Sequence, residues 1–123
     1  MGRKLSFYIN TYFHLMKSVF QLMHGVWKIG RLPGPIVSIF GGSKLKMTSE
    51  YAVLAHDLAA LLIQHDISVI TGGGGGIMEA ANCGATHAET TKAYARSIGI
   101  TVKGLEREPF NACAQEKMVV DYF

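Results

Sequence analysis

Five consecutive glycines, Gly72–Gly76, follow the apolar run "ISVIT" (67–71) and precede "IMEAANCGA". Glycine loses more conformational freedom on folding than any other residue, so five together would cost roughly 3–5 kcal/mol relative to alanine in regular structure. That is a large share of the stability of a small domain, about 5–15 kcal/mol. Such a run does not sit inside a helix or strand. It reads as a loop between a buried strand and the start of a helix, and the rest of the chain must be arranged around it.

The surrounding pattern supplies the arrangement. "IVSIF" (36–40), "ISVIT" (67–71) and "SIGITV" (97–102) are short, nearly continuous apolar runs, the pattern of parallel strands buried on both faces. Between the first two, residues 49–65 read as a helix with Tyr51, Leu54, Leu58, Leu61 and Leu62 on one face. Residues 77–86 read as a second helix, and "ACAQEKMVVDYF" (112–123) as the beginning of a third. Alternation of strand and helix predicts an α/β fold: the N-terminal part of a Rossmann-like, doubly wound parallel sheet. Three strands running to one side of the first leave its other edge open, so the 123 residues are expected to be half of a fold.

Ahead of this body, residues 5–29 carry two adjacent apolar stripes: Tyr8, Tyr12, Leu15, Val19, Leu22 and Val26, and Ile9, Phe13, Met16, Phe20, Met23 and Trp27. Asn10, His14, Lys17, Gln21, His24 and Lys28 line the opposite side. These polar residues interrupt the run too often for a membrane span. An amphipathic helix over residues 1–30 is predicted to pack on the body formed by residues 31–123. A membrane-surface role is the weaker reading, because that polar face holds only two lysines. "MGRKLS" fits a myristoylation pattern at Gly2 and Ser6, but the pattern is short and common by chance.

Composition narrows the function. With 49 % hydrophobic residues the chain has material for a core, and its net charge of +3 comes without any Lys/Arg block, which favours small anionic ligands over nucleic acid. Cys83 and Cys113 stand apart, with no CxxC and no clustered histidines, and read as reduced thiols in a cytoplasmic protein that holds no metal.

The glycine loop lies at the carboxyl end of a parallel strand, where open α/β sheets bind ligands, and at a helix start whose N–H groups favour anions. Absence of side chains lets a phosphate reach that backbone. The dinucleotide fingerprint fails because its third glycine falls on Ile77. Walker A fails because Ile77-Met78-Glu79 replaces G-K-[ST]. The expected binding residues are Gly42, Ser43 and Lys44 of "GGSK", all five of Gly72, Gly73, Gly74, Gly75 and Gly76, and Glu79. Glu79 has a competing role in stabilising its own helix. Asn82, Glu106 and Glu108 are weaker candidates, and the five histidines, His87 included, read as surface residues.

"IFGGSK" and "TGGGGGIMEAANCGA" together resemble the LOG family, cytokinin-riboside monophosphate phosphoribohydrolases that often carry a lysine decarboxylase label. The likeness extends through "SIGITVKGLEREPF" and covers roughly residues 30–123. It implies a homodimer that cleaves the N-glycosidic bond of a nucleoside 5′-monophosphate such as AMP, giving a free base and ribose 5-phosphate. It implies no cofactor, neither nicotinamide nor pyridoxal phosphate; the charge pattern and the interrupted apolar run predict no nucleic-acid and no membrane partner. The family's catalytic signature, P-G-G-x-G-T-x-x-E, and the arginine ahead of it do not occur in residues 1–123. No catalytic residue is therefore assigned in this segment, and the alternatives are a non-catalytic nucleotide-binding module or a remnant.

Overall fold

The computed structural model describes residues 2–32, 34–88, 96–104 and 109–120. Helix α1 spans Gly2–Gly30, and strand β1 is Ile36–Ser38. Helix α2 (Glu50–Gln64), strand β2 (Ser68–Thr71), helix α3 (Ile77–His87), strand β3 (Ser97–Val102) and strand β4 (Glu116–Val120) follow. The four strands form one parallel sheet in the order β1-β2-β3-β4, with Val37 opposite Val69, Ile70 opposite Ile98 and Ile100 opposite Met118. This is the expected α/β arrangement, led by a helix, with β1 on an edge.

Ser49 caps α2 by accepting the Ala52 N–H at 3.3 Å. Asp66, at φ 60°, turns the chain out of α2 towards β2. Helices α2 and α3 pack on each other with small residues between them. Ala52, Ala55 and Ala59 are buried on α2, and Ala80, Ala81, Gly84 and Ala85 on α3. A Cβ at Gly84 would lie 2.1 Å from the His56 carbonyl oxygen, so only glycine allows this approach. The consequence overturns one expectation. The large stripe Tyr51, Leu54, Leu58 and Leu61 is exposed, because so close a contact has no room for leucine and the alanine stripe faces inward. One core cluster joins Ala55, Ala59, Ile63, Val69, Ala81 and Ala85; a second, around Ile70, Ile98 and Met118, takes in Ile29, Leu32, Ile36 and Ile100.

Three further expectations change. Residues 116–120 are a strand, where a helix was predicted: Met118 is buried while Lys117 and Val119 are exposed, the period-two pattern of an edge strand. Backbone pairing with β3 outweighs the weak helical propensity of "MVV". The cysteines are not free thiols: Cys83 of α3 is bonded to Cys113, with Cα atoms 4.8 Å apart. Sequence spacing was silent here because the two meet only once residues 109–115 fold back over α3. Finally, among the described residues α1 meets the sheet through its carboxyl-terminal part against β4 and through Ile29, and none of its own residues is buried. The two apolar stripes do not cover the sheet. No helix among the described residues is long and apolar enough to cross a membrane.

Candidate functional site

The two glycine motifs end adjacent parallel strands, and the structure brings them into direct contact. The first residue of α3 donates its N–H to the Gly42 carbonyl (Ile77 N to O, 3.2 Å), so the turn after β1 closes on the start of α3. Gly76, the N-cap of α3, sits at φ 64°, and a Cβ there would lie 2.2 Å from the Gly42 oxygen. Glycine is required at 76 for both reasons. Ser43, half-buried, lies against the loop: its Cβ is 4.0 Å from the position a Gly74 Cβ would occupy. Lys44 is exposed beside it. Intrahelical bonding begins with the Ala80 N–H to the Gly76 carbonyl, so the N–H groups of Met78 and Glu79 have no acceptor within α3. No side chain caps that helix. Glu79 is half-buried in its first turn, a favourable place for a carboxylate beside the helix dipole.

Not all five glycines stand open to a ligand. Gly73, at φ 73°, is covered by the ring of Phe110, which also lies over Gly99. Cβ atoms at Gly72 and Gly74 would crowd only the flexible end of Met78, at 2.9 Å each, with the Ile100 carbonyl oxygen and Ser43 Cβ respectively at an ordinary 4.0 Å. Close packing thus explains Gly73 and Gly76, while Gly72 and Gly74 have a neighbour that can move aside.

Beneath the loop is a polar network that the sequence barely signals. Asn82 is fully buried. Its Oδ1 accepts from Thr71 Oγ1 at 2.6 Å and from Asn111 Nδ2 at 3.0 Å, and its Nδ2 donates to Ser97 Oγ at 2.9 Å. Thr71 Oγ1 in turn accepts the Gly73 N–H at 3.0 Å. Asn111 donates its own N–H to the Gly73 carbonyl (2.9 Å) and its Nδ2 to the Gly74 carbonyl (2.9 Å). Its Oδ1 accepts the N–H groups of Cys113 and Ala114. Thr86 Oγ1 donates to the Cys113 carbonyl at 2.6 Å, and the disulfide closes the same contact. Together these links hold residues 110–114 and the glycine loop to each other and to α3, and α3 to β3, so the loop's shape is fixed from below. Asn82 was a weak candidate for such a supporting role. Asn111 had no signal beyond being an asparagine in a loop.

Glu106 and Glu108 lie outside the described residues. His87 ends α3 with an exposed side chain. Among the described residues no group of three or more His, Cys, Asp or Glu side chains is placed to hold a metal.

No curated protein matches the chain significantly. A family model, SLOG cluster4, matches residues 34–117, which include β1, both glycine motifs, the Asn82 network and the first two residues of β4. The superfamily includes LOG-type proteins, and the match points to a nucleotide-related function. With more than half of its length matched, the chain belongs to the SLOG cluster4 family.

Proposed function

We propose that the chain is the nucleotide-binding half of a LOG-type phosphoribohydrolase, holding a nucleoside 5′-monophosphate such as AMP by its phosphate. The supporting observation is the closure of the turn Gly41–Ser43 onto the glycine loop at the start of α3. The Met78 and Glu79 N–H groups and the helix dipole favour an anion there. Ser43 supplies a hydroxyl, and Lys44 a cation within reach of solvent. Cleavage of the N-glycosidic bond requires groups that stabilise the charge developing on sugar and base, and a carboxylate to activate water. Glu79 serves its helix. The residues for that chemistry belong to the P-G-G-x-G-T-x-x-E signature, which residues 1–123 do not contain. The alternative is a module that binds the nucleotide without turning it over.

Calorimetric titration with AMP tests the binding half of the proposal. Gly74→Val is the variant of choice, because its Cβ crowds only the mobile Met78 terminus and the fold should survive. AMP should bind the wild type and fail to bind the variant, whose circular dichroism stays unchanged. Equal affinity would rule out the loop as the phosphate site. Ribose 5-phosphate release separates the two readings: the 123-residue chain alone should release none, and fusion to a segment carrying the signature should restore hydrolysis.

A further inference from the structure

Helix α1 is turned the opposite way from a helix that serves a core. Its polar side, with Lys17, Gln21, His24 and Lys28, and with Phe20 at the border, lines a groove of about 530 Å³ over β4, shared with Lys117 and Val119. Its apolar side faces away. Tyr8, Tyr12, Phe13, Leu22, Met23 and Trp27 are all more than half exposed, and further aliphatic side chains fill the positions between them. The helix runs 29 residues, about 43 Å at 1.5 Å per residue, so this face is long and continuous. It lies wholly outside the segment that matches the family, residues 34–117.

Charge identifies the occupant. The first acidic residue of the chain is Glu50, whereas Arg3, Lys4, Lys17, Lys28, Arg31, Lys44 and Lys46 all precede it. Arg3 and Lys4 flank one end of the apolar face. Arg31 flanks the other, its guanidinium 3.7 Å from the centre of the Trp27 ring. Two copies of this helix packed face to face would bring basic ends together with no acid on either to offset them. An anionic surface meets no such opposition. An exposed face of Phe, Leu, Tyr and Trp edged by Lys and Arg is the pattern of a helix lying in the plane of a lipid headgroup layer. The long basic side chains reach the phosphates while the rings sink beside them.

We propose that α1 docks this chain on a bilayer containing anionic lipid, apolar face down, with the α/β body on the aqueous side. The sequence alone favoured packing on the body; the orientation of α1 against β4 reverses that preference.

Trp27 is the only tryptophan in the chain and reports the contact directly. The full chain is mixed with phosphatidylcholine vesicles, with or without about one third phosphatidylserine. Tryptophan emission, quenching by brominated lipid, and co-sedimentation are recorded. Trp27 should shift to the blue, be quenched, and partition at least roughly tenfold more strongly into the anionic vesicles, with the preference lost at high salt. Phe13→Glu with Phe20→Glu, two positions 65 % exposed, should abolish binding without changing the fold. Arg3→Glu with Lys4→Glu should weaken the preference for anionic lipid while leaving the apolar face intact. Absence of vesicle binding, or equal binding to neutral and anionic vesicles, would overturn the proposal. So would a dimer in sedimentation velocity that shields Trp27 without lipid and is dissolved by the Phe13/Phe20 pair, which would assign the face to a second copy. None of these readings depends on AMP.

Discussion

Replacing Asn82 by alanine removes the hub beneath the glycine loop. Four side-chain hydrogen bonds disappear: those of 2.6, 3.0 and 2.9 Å with Thr71, Asn111 and Ser97, and a longer one of 3.4 Å to the Ile98 carbonyl. Each side-chain partner keeps one other bond: Thr71 Oγ1 retains the Gly73 N–H, Asn111 Nδ2 retains the Gly74 carbonyl, and Ser97 Oγ retains the backbone carbonyl of residue 82. The buried Thr71 O–H, which donates to Asn82, loses its acceptor, so the loss is no smaller than the ordinary net value of about 1 kcal/mol per bond, roughly 3 kcal/mol for the three shorter bonds. A small cavity adds to this, because Asn82 is fully buried. With a urea dependence of about 1–3 kcal/mol/M, the midpoint should fall by roughly 1–3 M at unchanged slope. Circular dichroism is the assay, since Trp27 lies on α1, far from the network in sequence and not in contact with α3. A shift corresponding to less than about 0.5 kcal/mol, the range of inconsequential surface changes, would refute the view that this network holds the loop.

Other consequences follow from the same geometry. Asn82→Asp keeps both accepted bonds but loses the donations to Ser97 and to the Ile98 carbonyl, and buries a carboxylate. Burial raises its folded-state pKa above the unfolded value of about 3.9, so the penalty should be full at neutral pH and shrink as pH falls towards that value; pH-independent destabilisation would contradict the burial. Gly84→Ala should separate α2 from α3, because its Cβ overlaps the His56 carbonyl, and a thermal melt should show at least about 1–3 kcal/mol of lost stability. Reducing the Cys83–Cys113 bond, which closes a 30-residue separation, should cost about 3–4 kcal/mol, and denaturation with and without reductant measures it.

How far the sequence discloses this fold depends on whether a feature is local. The parallel strands were legible because burial on both faces leaves continuous apolar runs, and β1, β2 and β3 fall where those runs do. The glycine motifs were legible as the ends of strands β1 and β2. What failed depended on tertiary approach. Leu54, Leu58 and Leu61 read as an inward face until Gly84 brings α3 so close that only alanines fit. Residues 116–120 read as a helix start because nothing local announces the open edge of β3 that pairs with them. Cys83 and Cys113 read as separate thiols because a 30-residue separation carries no information on proximity. Asn111 went unnoticed for the same reason: its partners are the carbonyls of Gly73 and Gly74, nearly 40 residues away in the chain. The amphipathicity of α1 was plain, but which side would meet the body was not, since the polar side does so against β4.

The phosphate site is best tested by amide chemical-shift mapping of the isotopically labelled chain during titration with AMP. Shifts should concentrate on Ser43, Gly74, Gly75, Met78 and Glu79, the residues where the turn after β1 meets the start of α3, and inorganic phosphate should move a subset of the same amides. The buried bonds of Asn82 should stay in place, leaving the Ser97 and Ala114 amides unmoved. Shifts confined to α1 and β4, or no shifts at millimolar AMP, would contradict a nucleotide held by the glycine loop.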